Sequence, residues 1–370
     1  MKFVLSEHQR HKQEEFRHFA DQELDLDKHF PRENLQRAAA HGYMGLPIPR
    51  EWGGQGEDFL TYILLLEEVS RVCASTGVIM AVHTSVGTFP ILYYGSEEQK
   101  RKYLPGLSSG ELLGAFALTE ADAGSDAAAL STAAKRVAGG YIINGTKLFI
   151  TSGGEADLYT VFATVDRSLG RKGISVFLVE KGTAGLNVGQ TENKMGLHRS
   201  KTTELQMEDL FVPLSNRLGE EGEGFTVAMS LLDGGRIGIA AQGLGLARAS
   251  VEYLINNFKE RQAEVEELSQ SSCFSLADLG ADFEAARLLI YRAAVLKDSG
   301  ARCSKEASMA KIFATDLAMK AATQIISLCG FTASLDNSLP ARYFCDAKAT
   351  QIYEGTNQVQ RIVVARELLK

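Results

Sequence analysis

Near its C-terminal end the chain carries Tyr353-Glu354-Gly355-Thr356-Asn357-Gln358-Val359-Gln360-Arg361. One carboxylate, Glu354, stands beside a glycine and a set of neutral hydrogen-bonding side chains, with no cation within three residues of it in sequence. That setting suits a carboxylate that takes a proton from carbon rather than one that pairs with a charge. An exposed loop carboxylate is the alternative, and the neighbouring glycine does not decide between them.

Three other segments could touch a ligand. Phe116-Ala117-Leu118-Thr119-Glu120-Ala121-Asp122-Ala123-Gly124-Ser125-Asp126 follows a predicted strand; its small residues would let backbone approach a planar ring, and Thr119 and Ser125 offer hydroxyls. By composition alone a polar turn is the better reading. Phe149-Ile150-Thr151-Ser152 ends the next strand, where an aromatic ring followed by a hydroxyl can stack on a heterocycle or serve as sheet core. Asp233-Gly234-Gly235-Arg236 precedes a helix expected from about Ile237, and its Asp and Arg read as a solvated i, i+3 pair or as substrate contacts at a helix start. His8, His11 and His18 lie on a polar helix without Cys or evident carboxylate partners, so no metal site is expected. Gly243-Leu244-Gly245 falls inside a helical run and is no dinucleotide fingerprint.

The elements that must position these groups fall into three blocks. Ser6/Gln9 and Ser96/Gln99 are capping-box patterns, Pro31 and Gly42 bracket a further helix, and an apolar helical region runs from about Leu60 to Tyr94. From Leu113 short apolar runs alternate with turn residues: Leu113–Leu118, Tyr141–Ile150, Leu158–Val165, Ile174–Val179 and Thr203–Val212. Asn144-Gly145 predicts a tight hairpin, and the lack of intervening helices predicts an antiparallel β domain. Beyond Gly224 long helices return, at Asp278–Leu296 and Ser304–Leu328, with Ala310, Phe313, Leu317 and Ala321 on one face. The expected architecture is multi-domain α+β: an N-terminal α-helical domain over 1–112, a middle antiparallel β-barrel-like domain over 113–218 and a C-terminal four-helix-bundle domain over 219–370.

With 370 residues, 45% hydrophobic, the chain can bury large cores. A net charge of −7 argues against binding nucleic acid or anionic membrane. No uninterrupted apolar stretch reaches the roughly 18 residues of a membrane span, and Met1–Phe30 is charge-rich, unlike a signal peptide. Five cysteines without a Cys-x-x-Cys pair read as free thiols, and a cytoplasmic location is expected.

Taken in order, the Thr-Glu-x-x-Ala-Gly-Ser-Asp loop, the Phe-Ile-Thr strand end, Lys194-Met195-Gly196-Leu197-His198-Arg199-Ser200, Asp-x-x-Arg and Tyr-Glu-Gly-Thr-Asn-Gln resemble the acyl-CoA dehydrogenase family of flavoproteins across essentially the whole chain. Within it, Leu231–Ala241 and Leu276–Ala294 resemble the short-chain, butyryl-type branch. The resemblance implies FAD-dependent conversion of an acyl-CoA to the trans-2-enoyl-CoA, with Glu354 removing the α-proton and flavin N5 taking the β-hydride. It implies that Phe116, Leu118, Thr119, Ser125, Phe149, Ile150, Thr151, Thr356 and Gln358 lie along FAD. Ser125, Asp233, Arg236 and Gly355 would meet the substrate. Where isovaleryl-type members place their base, this chain has Gly235, which leaves the role to Glu354. The family further implies a homo-oligomer, tetramer or dimer, in which Arg261, Gln270 and Gln324 reach a neighbouring subunit's FAD, and an electron-transfer flavoprotein as electron acceptor.

Two stretches depart from the family pattern. Arg261 is followed by Gln-Ala-Glu-Val-Glu-Glu rather than by a Phe-Gly pair, and Gln-x-x-Gly-Gly-x-Gly is here Gln324-Ile325-Ile326-Ser327-Leu328-Cys329-Gly330. Side chains at Ser327 and Leu328 would hinder backbone approach to a pyrophosphate, and Glu264–Glu267 would repel phosphate. The departures imply a differently held cofactor end, a different subunit contact or weaker FAD binding. An acyl-carrier-protein thioester dehydrogenase, an oxidase using oxygen and a flavin-deficient thioester- or partner-binding protein are the competing readings. Peroxide release would mark the oxidase, and absence of yellow colour the flavin-free protein.

Overall fold

The structure is a computed structural model that describes residues 4–26, 29–264, 269–336 and 338–370; the side chains of 261–264 lie outside that description. The first third folds into α1 (Glu7–Glu23), α2 (Arg32–Ala40), α3 (Phe59–Val72), α4 (Ala74–Val82), α5 (Phe89–Tyr94) and α6 (Glu97–Ser109). Both predicted capping boxes are formed, Ser6 with Gln9 and Ser96 with Gln99, and α2 starts directly after Pro31. The N-terminus of α3 is closed twice. Asp58 accepts from the Thr61 N–H at 2.6 Å, and Asp298, from the far end of the chain, accepts from the Phe59 and Leu60 N–H groups at 2.6 and 3.3 Å.

The apolar region expected as one helical stretch is broken at Cys73 and widens into a π-helical turn over His83–Thr88. His83 is fully buried there. Its Nδ1 accepts from the Gly114 N–H at 3.1 Å and its Nε2 donates to the Leu107 carbonyl at 3.0 Å, so one neutral imidazole joins the helical layer to the first strand.

The middle block is β1 (Gly114–Ala117), β2 (Ala133–Val137), β3 (Gly140–Thr151), β4 (Leu158–Thr164), β5 (Ile174–Glu180), β6 (Leu186–Thr191), β7 (Thr202–Pro213) and β8 (Arg217–Leu218), in the order β6-β7-β3-β2-β4-β5-β8 with β1 beside β4. The sheet is mixed rather than wholly antiparallel, because β1 and β2 both run parallel to β4. The predicted Asn144-Gly145 hairpin does not exist. The chain turns at Ala138-Gly139, and Gly145, with a φ of 149°, sits at a register shift where β3 meets β7. A Cβ at Gly145 would lie 2.6 Å from Thr132 Oγ1, and Asn144 exchanges hydrogen bonds with Asp209 across the strands. A bulge and a tight turn ask for the same residues, and only the pairing tells them apart.

The last third forms α7 (Gly224–Glu264), α8 (Gln270–Asp298), α9 (Ser304–Cys329), α10 (Leu339–Thr350) and α11 (Asn357–Leu368). α7 and α9 pack along each other, and α7 also crosses α3. Gly245 permits that crossing: a Cβ there would meet the Glu67 carbonyl at 2.5 Å. Asp233 and Arg236 lie well inside α7, not before it, since tertiary packing carries the helix through Gly234-Gly235 despite their low propensity. By length and composition, Ala74–Tyr94 and Ser304–Cys329 could each cross a membrane, which the search for unbroken apolar runs did not detect. The most apolar window of the first is 94% buried inside the protein, so it serves as core here.

Burial pushes the His83 imidazole down to about 4 despite its bond to the Leu107 carbonyl. Because the folded value is depressed below the ordinary 6.5, the stabilisation is complete above 6.5 and is lost as pH falls toward 4. His83→Gln, which does not titrate, is expected to show a smaller drop in melting temperature between pH 6.5 and 4 than the parent; identical drops would remove His83 from this role.

Candidate functional site

Glu354 lies in the turn between α10 and α11, with a left-handed φ of 52° followed by 84° at Gly355. A non-glycine residue held there costs on the order of 1–3 kcal/mol, so surrounding contacts must impose it. They are identifiable. Gln360 Nε2 donates to the carbonyls of Glu354 and Gly355 at 3.2 and 3.0 Å, and is itself held by Ser308 Oγ at 2.9 Å. Lys311 Nζ donates to the Gly355 carbonyl at 3.1 Å and to Asn357 Oδ1 at 2.8 Å. The Tyr353 hydroxyl donates to Gln242, whose amide reaches the Ala74 carbonyl at 2.8 Å.

The turn aims the carboxylate at α7. A Cβ built on Gly235 would lie 2.8 Å from Glu354 Oε2 and 3.3 Å from Oε1, so only glycine leaves the carboxylate this place. The residue as a whole keeps partial exposure, yet Oε2 is buried without a hydrogen-bond partner among the described residues. Burial raises its pKa, opposed by the charges of Arg236 and then Lys311. The absence of cations near Glu354 in sequence therefore does not carry over to space: the fold supplies two. Neither forms a salt bridge with it, and Arg236 instead pairs with Asp233 at 2.9 Å, which also accepts from Ser304 Oγ at 2.6 Å. That Asp–Arg pair is enclosed rather than solvated, and Arg236 Nε is left buried without an acceptor.

A second cluster organises the loop after β1. Phe116 stacks edge-on against Phe162 at 4.8 Å. Leu118 and Thr119 are half-buried, and their carbonyls accept from Lys147 Nζ at 3.0 Å and the Leu148 N–H at 2.9 Å. Glu120 turns inward and takes four donors: Lys147 Nζ at 2.7 Å, the Ser131 N–H and Oγ, each at 2.6 Å, and the Thr132 N–H at 3.0 Å. Burial would raise its pKa, but the Lys147 charge and these bonds outweigh it and hold it at about 2. Burial brings Lys147 down to about 8 against the pull of Glu120. The two partners' shifts pull the pairing in opposite senses; the 2.7 Å contact and the shared donors identify an ion pair. Ser125 is exposed beyond this clamp. On β3 a register shift between Lys147 and Ile150 leaves Phe149 59% exposed with a φ of 57°, while Ile150 is buried in the sheet core and Thr151 pairs with Thr202.

The remaining predicted residues lie elsewhere. Thr356 caps α11 through the Val359 N–H at 3.2 Å, and Gln358 is exposed. Both border a depression of about 530 Å³ between α9, α10 and α11, also lined by Asp316, Lys348 and Arg361, that does not include Glu354. Gln270 opens α8 and is exposed, and Gln324 Oε1 on α9 is buried without a partner. Neither shares a hydrogen bond with the Glu354 cluster among the described residues. Ser327 bonds back to the Thr323 carbonyl, and Leu328 packs on the core. The Arg261 side chain and the acidic run 264–267 fall outside the described residues.

Sequence reasoning missed Lys311, Gln360, Gln242 and the Glu120–Lys147 clamp. A signal for Lys311 existed: it interrupts the buried face Ala307, Ala310, Ala314, Ala318.

The chain matches three family models end to end: acyl-CoA dehydrogenase N-terminal domain over 6–111, middle domain over 115–210 and C-terminal domain over 222–369. An acyl-CoA dehydrogenase of Bacillus subtilis is 49% identical over 94% of this chain and 92% of its own. A short-chain specific acyl-CoA dehydrogenase of Clostridium acetobutylicum is 42% identical over the full length of both. A chain in a solved structure from work on the electron transferring flavoprotein of Acidaminococcus fermentans is 44% identical, covers both chains fully and superposes with a TM-score of 0.96. The chain belongs to the acyl-CoA dehydrogenase family, FAD-dependent oxidoreductases that act on CH–CH bonds. The residues present fit that cofactor: Phe149 is presented outward from a strained bulge, and Gln324 Oε1 is buried without a partner among the described residues.

Gly235→Ala is expected to displace the carboxylate, lowering kcat by up to about a hundredfold, the cost of a misplacement of order 1 Å, with little change in melting temperature. An unchanged kcat would show that the carboxylate does not need this seat. Lys147→Met leaves Glu120 buried without its cation and is expected to cost about 3–5 kcal/mol, read by urea unfolding. FAD retention on gel filtration should fall with it.

Proposed function

We propose that the protein dehydrogenates short-chain acyl-CoA thioesters, with Glu354 as the base. The observation that carries the reading is a carboxylate whose Oε2 is buried, without a donor, and seated over a glycine. A desolvated carboxylate with a raised pKa is a stronger base toward an α-hydrogen, provided negative charge on the thioester oxygen is stabilised. The Glu354 N–H is a suitable donor for that oxygen, since it bonds to no acceptor among the described residues. Glu354 takes the α-proton, the β-hydrogen leaves with its electron pair, and the Cα–Cβ double bond forms. FAD, when bound, supplies the acceptor for that electron pair. Phe116, Leu118, Thr119, Ser125, Phe149, Ile150, Thr151, Thr356 and Gln358 are assigned to hold it. Asp233, Arg236 and Gly355, with Ser125, are assigned to the thioester.

Short acyl groups and CoA as carrier are favoured by the relatives named short-chain specific. A homo-oligomer is supported by an exposed apolar stripe on α8, with Phe274, Leu288 and Val295 at multiples of seven residues, and Arg261, Gln270 and Gln324 are assigned to a neighbouring subunit's FAD. An electron-transfer flavoprotein is the proposed electron acceptor, on the likeness to the chain from work on such a protein. The free cysteines support a reducing, cytoplasmic setting.

Glu354→Gln should retain FAD yet lose nearly all flavin bleaching by butyryl-CoA in stopped flow, and retained bleaching would remove Glu354 from the role. In the parent, bleaching should quicken with rising pH as the carboxyl ionises. The stability effect has the opposite sign. A folded pKa above the ordinary 4.5 gives stability that is lost as pH rises through the folded value, so Glu354→Gln should melt higher than the parent at neutral pH and not at pH 4.

A further inference from the structure

Lys311 sits in the middle of α9 with no exposed surface, and it forms no salt bridge among the described residues. Its two acceptors are neutral: the Gly355 carbonyl and Asn357 Oδ1. The Asn357 amide is oriented for this, because its Nδ2 donates to Thr315 Oγ1 at 2.9 Å and Asp316 Oδ1 at 2.8 Å, turning the oxygen toward the ammonium. Burying a cation against neutral acceptors is expensive, and a neutral amide could make the same hydrogen bonds at lower cost. What a neutral amide could not supply is charge next to the turn that carries Glu354.

We propose that Lys311 is a positioning residue for the base: its ammonium pins the Gly355 carbonyl so that Glu354 keeps its left-handed turn over Gly235, and its charge favours the ionised carboxylate without touching it. The inference rests on Glu354 being the base. The other charged groups acting on this pair are Arg236 from α7, Asp316 from α9 itself and Arg361 from α11. Burial lowers the Lys311 ammonium to about 7, with Glu354 the largest of the charges resisting that fall. Direct contact with a cation would hold the carboxylate ionised but make it a poor proton acceptor. A cation one peptide group away favours the charge while leaving the oxygens bare.

The test is the pH dependence of flavin bleaching by butyryl-CoA in the FAD-loaded enzyme for the parent, Lys311→Met, Lys311→Gln and Glu354→Gln. Removing the cation destabilises the ionised carboxylate, so the bleaching profile should move to higher pH. The rate should fall most at the acid side of the profile, with recovery at alkaline pH and an unchanged KM. Lys311→Gln keeps a donor for the Gly355 carbonyl and buries no charge, so its fold is retained even if the methionine variant's is not. FAD absorbance and melting temperature check this. A profile that coincides with the parent's in a folded variant overturns the proposal, as does a loss of rate that is equal at every pH in Lys311→Gln, which keeps the donor to the Gly355 carbonyl. If Glu354→Gln itself still bleaches, the assignment of the base fails instead, and the two failures are told apart.

Discussion

For the proposed role of Glu354 the site depends on one constraint: a carboxylate must be kept dry, unbonded and still. Water would lower its basicity, and a hydrogen-bond donor would do the same. Freedom to rotate would lose the alignment. The protein meets this by fixing the backbone on either side of Glu354 instead of the side chain. Gln360, Lys311 and Tyr353 all act on neighbouring carbonyls or on side chains of α7. The carboxylate then has only a glycine beneath it.

The loop after β1 shows the opposite treatment of the same functional group. Glu120 is given four donors, one of them a touching lysine, and is held ionised at about 2. It cannot serve as a base and acts as a fastener. Two carboxylates in one chain are thus driven apart in basicity by what surrounds them. Lys147 and Lys311 divide in the same way, one bonded to its carboxylate and the other set back from it.

Much of this was legible in the sequence where local chemistry decides the outcome. The capping boxes at Ser6 and Ser96 and the return of long helices beyond Gly224 follow from short-range pattern, whereas the segments carrying Thr119, Phe149 and Glu354 stand out only when taken together in order. What was not legible depends on pairing. Asn144-Gly145 has the composition of a turn and forms a bulge, because β7 runs alongside it. β2 and β6 are short and mostly exposed, so no apolar alternation announces them. Asp233-Gly234-Gly235-Arg236 looks like a helix start and lies inside α7, since packing against α3 and α9 overrides propensity. The cations near Glu354 come from α7 and α9, some 118 and 43 residues away in the chain, beyond any window of sequence around it.

The capping of α3 by Asp298 has a bearing on biosynthesis. The two N–H groups it satisfies are made 239 and 238 residues before their acceptor. While the chain is being extended, the first helical layer therefore waits with its central helix incompletely closed. Contacts of this sequence separation are slow to form, so the N-terminal third reaches its final stability only once the last third has been synthesised. A chain that ends before Asp298 would keep the Asp58 cap and lack the second one, leaving the start of this helix less firmly closed than in the full protein.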